Sequence, residues 1–388
     1  MLQVILLVID SGGVGAAPDA AHFGDVGANT IQHAIDAVGG VELPHLSAMG
    51  LAELVPALKK TSDPLRGGVV RIAPKANGKD TLAGHWEMMG LVVEEPFRTY
   101  PQGFPQGVVQ QLETAFGRQI LGNKAASGTQ IIAELGPRHL RTGCPIVYTS
   151  ADSVLQIAAH EDVVPLETLY QWCQAARDIM RGPDLVGRII ARPFIGVPGA
   201  FVRTFHRHDY AIAPWAPTMV DKLQQSGIET VAIGKIGDIF SRHGFDRVVA
   251  TSGNGDGLEQ TVREAAKPSR DRFIFVNLVE FDSHYGHRRD PAGYVRALGD
   301  LDGMLPKIWD HLSGGDQVWI TADHGCDPTF PGSDHTREWV PWLTYGPRIL
   351  PGLDSPRSTF ADIGATLGAL FHVDAVGPGV PWSHLLLS

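Results

Sequence analysis

Residues 2–10 read LQVILLVID, an apolar run that ends in an aspartate. Two later stretches follow the same pattern: residues 273–282 read FIFVNLVEFD, and residues 317–323 read QVWITAD. Each run is continuously apolar rather than alternating, which is typical of parallel strands covered by helices on both faces. In open α/β sheets, ligands bind at the carboxyl ends of the strands. We therefore expect Asp10, Asp282 and Asp323 to point into one crevice.

A single aspartate at such a position has an ordinary alternative role, because aspartate often begins a turn or caps a helix after a strand. For any one of the three aspartates taken alone, that alternative is the stronger interpretation. Three such endings in one chain, two of them followed by histidines, favour a shared site instead.

Helical patterns lie between the strands. Residues 292–312 and 360–371 carry apolar residues at helical spacing, and residues 217–226 lead into the strand-like IETVAIG. Proline-rich or glycine-rich segments at 94–105 and 210–218 mark boundaries. The sequence therefore predicts an inserted domain at 97–213 and a discontinuous core at 1–96 and 214–388; the family resemblance described below implies substrate binding for the first and catalysis for the second.

The composition excludes several classes of function. A net charge of −10 disfavours nucleic-acid binding, which needs clustered lysine and arginine. Three widely spaced cysteines argue against a disulfide framework and fit a reducing compartment. The apolar start of the chain is too short for a membrane span and lacks the positive charge of a signal peptide. We expect a cytoplasmic protein without nucleic-acid or membrane partners.

The C-terminal half contains the segments FDSHYGHRRD (281–290) and TADHGCDPTFPGSDHTRE (321–338), which add His287, His324 and His335 to the aspartates. Carboxylate and imidazole ligands without thiolate suit Mn²⁺, Fe²⁺ or Zn²⁺. With Asp10 there are six candidate ligands, enough for two ions, and metal pairs are common in phosphoryl transfer. Most of the 16 histidines are expected to be surface or core residues, and we place His85 among them.

The segment GKDTLAGHWEMMG (78–90) indicates a turn that leads into a helix. Thr81 would then lie near the first helical amides and the positive end of the helix dipole, where a phosphate is favoured. A threonine hydroxyl is a weak nucleophile until a metal ion lowers its pKa. The alternative is that Asp80 or Thr81 simply caps the helix.

Several long motifs are similar to those of one family. They are VIDSGGVGAAPDAAHFGDVGANT (8–30), GKDTLAGHWEMMG (78–90), YTSADSVLQIAAHED (148–162), IGKIGDIF (233–240), TADHGCDP (321–328) and DHTREWVP (334–341). The chain resembles the bacterial phosphopentomutases of the alkaline phosphatase superfamily almost from end to end. The resemblance implies an α/β fold: an alkaline-phosphatase-like core with a mainly parallel sheet flanked by helices, plus an inserted α/β cap domain.

The implied reaction interconverts α-D-ribose 1-phosphate and D-ribose 5-phosphate, and the 2-deoxyribose equivalents. It would proceed through a phosphothreonine enzyme and a 1,5-bisphosphate intermediate, with a sugar bisphosphate primer that phosphorylates Thr81. Two Mn²⁺ ions per chain are implied. By resemblance, the first would be held by Asp10, Asp323 and His324 together with Thr81, and the second by Asp282, His287 and His335.

The resemblance also implies substrate contacts. Ser150 and Asp152 would bind sugar hydroxyls, Arg188 and Arg203 would bind phosphate from the cap, and Lys235 would approach from the core. Arg192 and Arg207 remain rivals for the phosphate. The implied partners are small pentose phosphates, and we expect a monomer.

Two other classes of function stay open. The first is a related enzyme, either a cofactor-independent phosphoglycerate mutase, which would carry a serine in place of Thr81, or a phosphatase, which would release inorganic phosphate. The second is a metal-bearing protein that binds sugar phosphates without chemistry. The complete ligand set disfavours this second class.

Overall fold

The structure is a computed structural model, and it describes residues 1–58, 64–150, 153–267 and 270–386. The chain divides into two compact units. The core unit comprises Met1–Glu95 and Ala213–Ser388, and the inserted unit comprises Pro96–Ile212. The catalytic and cap roles given to these parts of the chain stay predictions.

The secondary structure elements are numbered in chain order. The described strands are β1 (Gln3–Ile9), β2 (Gly68–Ile72), β3 (Leu121–Ala125), β4 (Ile146–Thr149), β5 (Val154–His160), β6 (Arg188–Ile195), β7 (Val202–Arg203), β8 (His208–Ala211), β9 (Glu229–Ile233), β10 (Arg247–Val249), β11 (Arg272–Leu278), β12 (Gln317–Ala322), β13 (Val340–Tyr345) and β14 (Gly352–Leu353).

The α-helices vary in length, and several span only one turn. They are α1 (Ala20–Phe23), α2 (Thr30–Ala37), α3 (Pro44–Ala48), α4 (Leu51–Leu54), α5 (Thr81–Met88), α6 (Gln106–Phe116), α7 (Gly128–Thr142), α8 (Leu166–Ile179), α9 (Met219–Gln225), α10 (Ile236–Ile239), α11 (Asn254–Ala265), α12 (Pro291–Trp309), α13 (Ala361–Leu370) and α14 (Ser383–Leu386). A 3₁₀ turn spans Gly182–Asp184 and a π-helical turn spans Phe281–Gly286. None of the helices in the described ranges has the length and apolar character needed to cross a membrane.

The core unit is built on an eight-stranded sheet with the order β10-β9-β11-β1-β12-β13-β2-β14. Neighbouring strands run parallel except at β12–β13 and β13–β2, where they are antiparallel. The predicted fold class, α/β with a mainly parallel sheet, is therefore confirmed.

The continuous apolar runs are buried on both faces of this sheet. All seven residues of β1 are buried, as are those of β11 and β12. Ile5, Leu7 and Ile9 pack into one large cluster that also contains residues of α2 and α12. Because side chains alternate along a strand, the intervening residues face the other side of the sheet, where they are also buried.

The strand register brings the predicted aspartates to one edge. Ile9, the last residue of β1, lies opposite Leu278 of β11 and Ala322 of β12, so Asp10 and Asp323 leave neighbouring strands side by side. The expectation that Asp282 directly ends its strand is wrong. Strand β11 ends at Leu278, and Asp282 lies in the π-helical turn that follows.

The inserted unit has its own sheet in the order β3-β4-β5-β6-β7, with β8 paired to β6. Parallel pairs (β3–β4, β5–β6) and antiparallel pairs (β4–β5, β6–β7, β6–β8) are mixed. Helices α6 and α8 share one hydrophobic cluster with this sheet, and α7 shares another. The unit thus has two hydrophobic clusters of its own.

Helix α5 approaches the edge of the core sheet closely. Asp80 is its N-cap and accepts hydrogen bonds from the amides of Leu82 and Ala83, both at 3.1 Å. At Gly84 a side chain would collide with the backbone carbonyl of Asp323. Only glycine therefore lets Thr81, at the first position of the helix, come this near to the end of β12.

We expect Gly84→Ala to destabilise the protein by about 1–3 kcal/mol, because the new methyl group forces helix and strand apart. Gly303→Ala in α12 is the matched control, since a Cβ there meets nothing within 4 Å. It should be neutral or stabilise by about 0.5–1 kcal/mol through higher helix propensity. Urea denaturation measures both, and equal stability of the two variants would contradict the close-packing account.

Candidate metal centre

A short antiparallel bridge places His324 beside His335. The amide of Gly325 donates to the carbonyl of Thr336 at 3.0 Å, and the amide of Thr336 donates back at 2.8 Å. The two imidazole rings stack with their centroids 4.0 Å apart. His324 and His335, eleven positions apart in the sequence, therefore lie side by side at the carboxyl edge of the sheet.

One group of candidate ligands consists of Asp10, Asp323 and His324, all of them buried, with ligand atoms within 4.8 Å of one another. The Nε2 of His324 lies 3.2 Å from Asp323 Oδ2 and 3.6 Å from Asp10 Oδ1. The amide of Ser11 donates to the other oxygen of Asp323 at 3.0 Å, which fixes that carboxylate.

A second group surrounds Asp282. Its carboxylate oxygens lie 3.3 Å from His335 Nε2 and 3.4 Å from His287 Nε2, and these two nitrogens are 3.1 Å apart. Asp282 and His335 also lie within 4.8 Å of His324, so the two groups adjoin. Cys326 is buried nearby, with its Sγ 3.9 Å from Nδ1 of His287.

The three histidines share one orientation. Nδ1 of His324 lies 3.0 Å from the carbonyl of Gly325, Nδ1 of His335 lies 2.8 Å from that of Lys79, and Nδ1 of His287 lies 2.8 Å from that of Ser333. Because a carbonyl only accepts hydrogen bonds, each Nδ1 must carry the proton. In the neutral ring Nε2 is then a lone-pair donor, which is the usual arrangement of a histidine that binds metal.

Buried oxygen atoms in the same place lack partners. Within the described ranges, Asp10 Oδ1, Asp282 Oδ1 and Asp323 Oδ2 are buried and accept no hydrogen bond. Uncompensated carboxylate oxygens are costly to bury. Their positions beside the three Nε2 atoms fit two divalent cations, which would satisfy oxygen and nitrogen lone pairs together.

The pKa values of Asp10 and His324 are both raised, and the negative charges of neighbouring carboxylates contribute to both shifts. Burial, reinforced by Asp323 and Asp282, raises the pKa of Asp10 to about 6. Burial alone would lower the pKa of His324, but the Asp323 carboxylate outweighs it and raises that pKa to about 10. The site therefore demands positive charge.

Thr81 lies at the first group of ligands. Its hydroxyl oxygen is 3.3 Å from His324 Nε2, the same nitrogen that faces Asp10 and Asp323. The alternative that Asp80 caps the helix is also correct, because Asp80 bonds the Leu82 and Ala83 amides. Capping by Asp80 and a site at Thr81 are compatible.

The loop before Thr81 is fastened to the segment that carries His335. The buried guanidinium of Arg337 donates to the carbonyls of Pro74, Ala76 and Gly78 and, through two bonds, to Asp19. The Lys79 ammonium lies 3.0 Å from Asp25 and 3.2 Å from Asp334. These contacts fix the position of the Thr81 hydroxyl relative to the His335 imidazole. The sequence motifs alone do not indicate these contacts.

Two further residues next to the ligands are missed by the sequence interpretation. His85, assigned above to surface or core, is buried with its Nδ1 3.2 Å from Asp323 Oδ2. Asn277 donates its side-chain amide to Asp10 Oδ2 at 3.0 Å. The sequence does hold a signal for Asn277, because it is the one polar residue inside the apolar run FIFVNL (273–278).

The predicted substrate contacts are spread over both units. Lys235, at the start of α10, is near enough to Asp10 that its charge opposes the larger effect of burial on the pKa of Asp10. In the inserted unit, Ser150 follows β4, and Arg188, which begins β6, lies 4.0 Å from Asp209. Asp152 lies outside the described residues.

The remaining arginines gather around Tyr148, whose hydroxyl is buried. Arg192, Arg203 and Arg207 act electrostatically on that hydroxyl, although burial dominates and raises its pKa. Arg192 donates to Gln156 at 3.0 Å, and Arg207 forms a bidentate pair with Asp209 at 2.6 Å.

A family model of the metalloenzyme superfamily matches residues 2–375, and this match defines the class of protein. Among solved structures, the chain is similar to the phosphoglycerate mutase of Leishmania mexicana, with 15% identity, a TM-score of 0.46 and coverage of 97% of this chain and 96% of that one.

Two relatives are much closer in sequence. The chain is 50% identical over 382 residues to the phosphopentomutase of Caldanaerobacter subterraneus subsp. tengcongensis, covering 98% of this chain and 97% of the relative. It is 48% identical over 388 residues to the phosphopentomutase of Alkaliphilus metalliredigens, covering 99% of each. The chain belongs to the phosphopentomutase family.

After treatment with a chelator and dialysis against Mn²⁺, the protein should bind two ions per chain. Asp323→Asn and Asp282→Asn should each bind about one, because each change removes a charged ligand from a different group. His311→Ala, an exposed histidine just after α12, is the control and should bind two. Elemental analysis by mass spectrometry measures the ratio, and unchanged stoichiometry in both aspartate variants would refute the ligand assignment.

Proposed function

We propose that this chain interconverts α-D-ribose 1-phosphate and D-ribose 5-phosphate, and the 2-deoxy equivalents, with Thr81 as the phosphate carrier. The observation that carries the proposal is the position of the Thr81 hydroxyl, 3.3 Å from His324 Nε2 at the edge of six convergent candidate ligands. Membership of the phosphopentomutase family supports the choice of a pentose phosphate as substrate.

The ligand set is proposed to hold two Mn²⁺ ions, one by Asp10, Asp323 and His324 and the other by Asp282, His287 and His335. When bound, the ions supply Lewis-acid stabilisation of phosphoryl oxygens and lower the pKa of a nearby hydroxyl. Three aspartates and three neutral imidazoles match the preference of Mn²⁺ for oxygen and nitrogen ligands.

The transfer has two balanced steps. The free hydroxyl of the pentose phosphate attacks the phosphorus of phosphothreonine 81; its P–O bond forms as the bond to Thr81 Oγ1 breaks, and the hydroxyl proton passes to Thr81 Oγ1. The resulting 1,5-bisphosphate turns around. Thr81 Oγ1 then attacks the other phosphorus; the bond from that phosphorus to the sugar oxygen breaks, the proton of Oγ1 passes to the sugar oxygen, and the isomeric monophosphate is released. A sugar bisphosphate would prime an unphosphorylated enzyme in the same way.

The capping of α5 affects how a phosphate on Thr81 is stabilised. The amides of Leu82 and Ala83 already donate to Asp80, so these first-turn donors are committed. Neutralisation of the phosphoryl oxygens then depends on the candidate cation sites rather than on the helix terminus. This dependence gives a physical reason for placing a carrier threonine against metal ligands.

For the phosphate contact from the inserted unit, we propose Arg203 ahead of its rivals. Arg203 makes no ion pair within the described ranges, whereas Arg207 is paired with Asp209. The Arg203 guanidinium lies beside Gly128, the first residue of the 15-residue helix α7, which has no side-chain cap. A guanidinium next to a positive helix terminus attracts an anion. Ser150, Asp152, Arg188 and Lys235 complete the proposed substrate contacts.

Thr81→Ala should abolish mutase turnover, because no oxygen remains to carry phosphate, while the Mn²⁺ content should stay near that of the wild type. After incubation with ³²P-labelled ribose 1,5-bisphosphate, wild-type protein should retain covalent label and Thr81→Ala should retain none. Thr114→Ala, an exposed threonine in α6, is the control and should label normally. Full mutase activity of Thr81→Ala would end the carrier assignment.

The same labelling assay separates the rival functions. A phosphatase would release inorganic phosphate in proportion to substrate, and a binding protein would retain no covalent label. Mutase activity predicts conversion of ribose 1-phosphate to ribose 5-phosphate that depends on both Mn²⁺ and a bisphosphate primer.

Arg203→Ala should lower kcat/KM for ribose 5-phosphate by roughly 10- to 100-fold, mainly through KM, because one charged hydrogen bond to phosphate is lost. Arg141→Ala, near the end of α7, should change kcat/KM less than twofold. Steady-state kinetics with a coupled assay measures both. Unchanged kinetics in Arg203→Ala would remove Arg203 from the substrate contacts.

A further inference from the structure

His85 and Asn277 lie between helix α5, which begins at Thr81, and two candidate metal ligands. His85 lies one helical turn after Thr81, and its side chain is completely buried. Its Nδ1 lies 2.9 Å from the carbonyl of Thr81 and 3.2 Å from Asp323 Oδ2. Its Nε2 lies 3.3 Å from the side-chain nitrogen of Asn277, which also donates to Asp10 at 3.0 Å.

The partners fix the protons in this chain of contacts. The carbonyl of Thr81 can only accept, so Nδ1 of His85 carries a hydrogen. The amide group of Asn277 has two hydrogens. One is donated to Asp10 Oδ2, and the other points at Nε2 of His85, which must therefore be an acceptor. Reversing the Asn277 amide would place its oxygen against the Asp10 carboxylate, so the orientation in which its nitrogen faces both Asp10 and His85 is the consistent assignment.

We propose that Asn277 and His85 are positioning residues: Asn277 orients Asp10 toward the cation that Asp10 shares with Asp323 and His324, and His85 holds Asn277 in place. This inference rests on the first metal site of the proposed function. It extends that function by assigning a role to two residues that are not ligands. Asn277 holds one oxygen of Asp10 and leaves Oδ1, which accepts no hydrogen bond in the described chain, for the cation.

The link also ties Thr81 to that cation. His85 bonds the backbone of the carrier residue and faces a ligand carboxylate with the same nitrogen. Movement of the first turn of α5 would therefore disturb Asn277 and, through it, Asp10. Partners of this kind typically change metal affinity by 10- to 100-fold when they are removed.

The sheet supplies a matched control. Asn277 and Thr321 flank Val8 in the same cross-strand row, on β11 and β12 respectively. The Thr321 hydroxyl is buried and has no hydrogen-bond partner among the described residues. Thr321→Val therefore removes a polar group from the same row without breaking a contact, whereas Asn277→Leu removes the donor to Asp10.

Calorimetric titration of the chelator-treated protein with Mn²⁺ tests the role of the pair. Asn277→Leu and His85→Gln, which loses the Nδ1 donor, should each weaken one of two Mn²⁺ sites by about 10- to 100-fold and change the other less than threefold. The double variant should lose little more than the worse single variant, because both residues act in one chain. Thr321→Val should bind like the wild type. Wild-type affinity at both sites in Asn277→Leu, or fully additive losses, would overturn the proposal.

A second measurement needs neither activity nor a stable variant. Long-range ¹H–¹⁵N NMR of the wild-type protein without added metal reports which ring nitrogen of His85 bears hydrogen. The proposal requires hydrogen on Nδ1, the nitrogen that faces the Thr81 carbonyl, and a ring with hydrogen on Nε2 alone would refute it. If these results hold but the protein lacks mutase activity, the proposed substrate is wrong and the positioning role stands.

Discussion

The crowding of three buried carboxylates governs this structure. Burial raises the pKa of Asp10, and the charges of Asp323 and Asp282 raise it further. Two like charges about 4 Å apart repel by about 4 kcal/mol at an effective dielectric constant near 20. Protonation of His324 relieves part of that repulsion, as its pKa of about 10 indicates. Divalent cations bound here would relieve it while leaving the imidazoles neutral, and the three Nε2 atoms are oriented to act as their ligands.

The surrounding fold makes such crowding tolerable. Aspartates leave β1 and β12 at the same level because the parallel register aligns the strand ends. The bridge between Gly325 and Thr336 adds two histidines from one loop. Arg337, which follows His335, donates hydrogen bonds to backbone carbonyls of the segment before Thr81. These bonds fix the Thr81 hydroxyl next to the candidate metal ligands. Neutralised phosphoryl oxygens and a fixed acceptor hydroxyl are what reversible phosphate transfer requires.

Much of this arrangement is predictable from the sequence, and the reasons are specific. The runs that end at Asp10 and Asp323 identify buried parallel strands, since continuous apolar character is typical of strands that helices cover on both faces. The sequence pattern puts Asp282 in the right crevice but on the wrong element, because periodicity does not reveal a π-helical turn. A lone histidine on a helix, such as His85, carries no pattern; only the tertiary contacts join it to Asp323 and Asn277. Arg337 likewise bonds backbone carbonyls, which leave no signature in the sequence.

Anomalous scattering from a crystal grown with Mn²⁺ tests the central claim most directly. The account predicts two manganese peaks in each chain. One should be bonded to Asp10, Asp323 and His324, and the other to Asp282, His287 and His335. A map without manganese at these carboxylates, or with manganese bound only elsewhere on the chain, would contradict the claim that cations offset their repulsion.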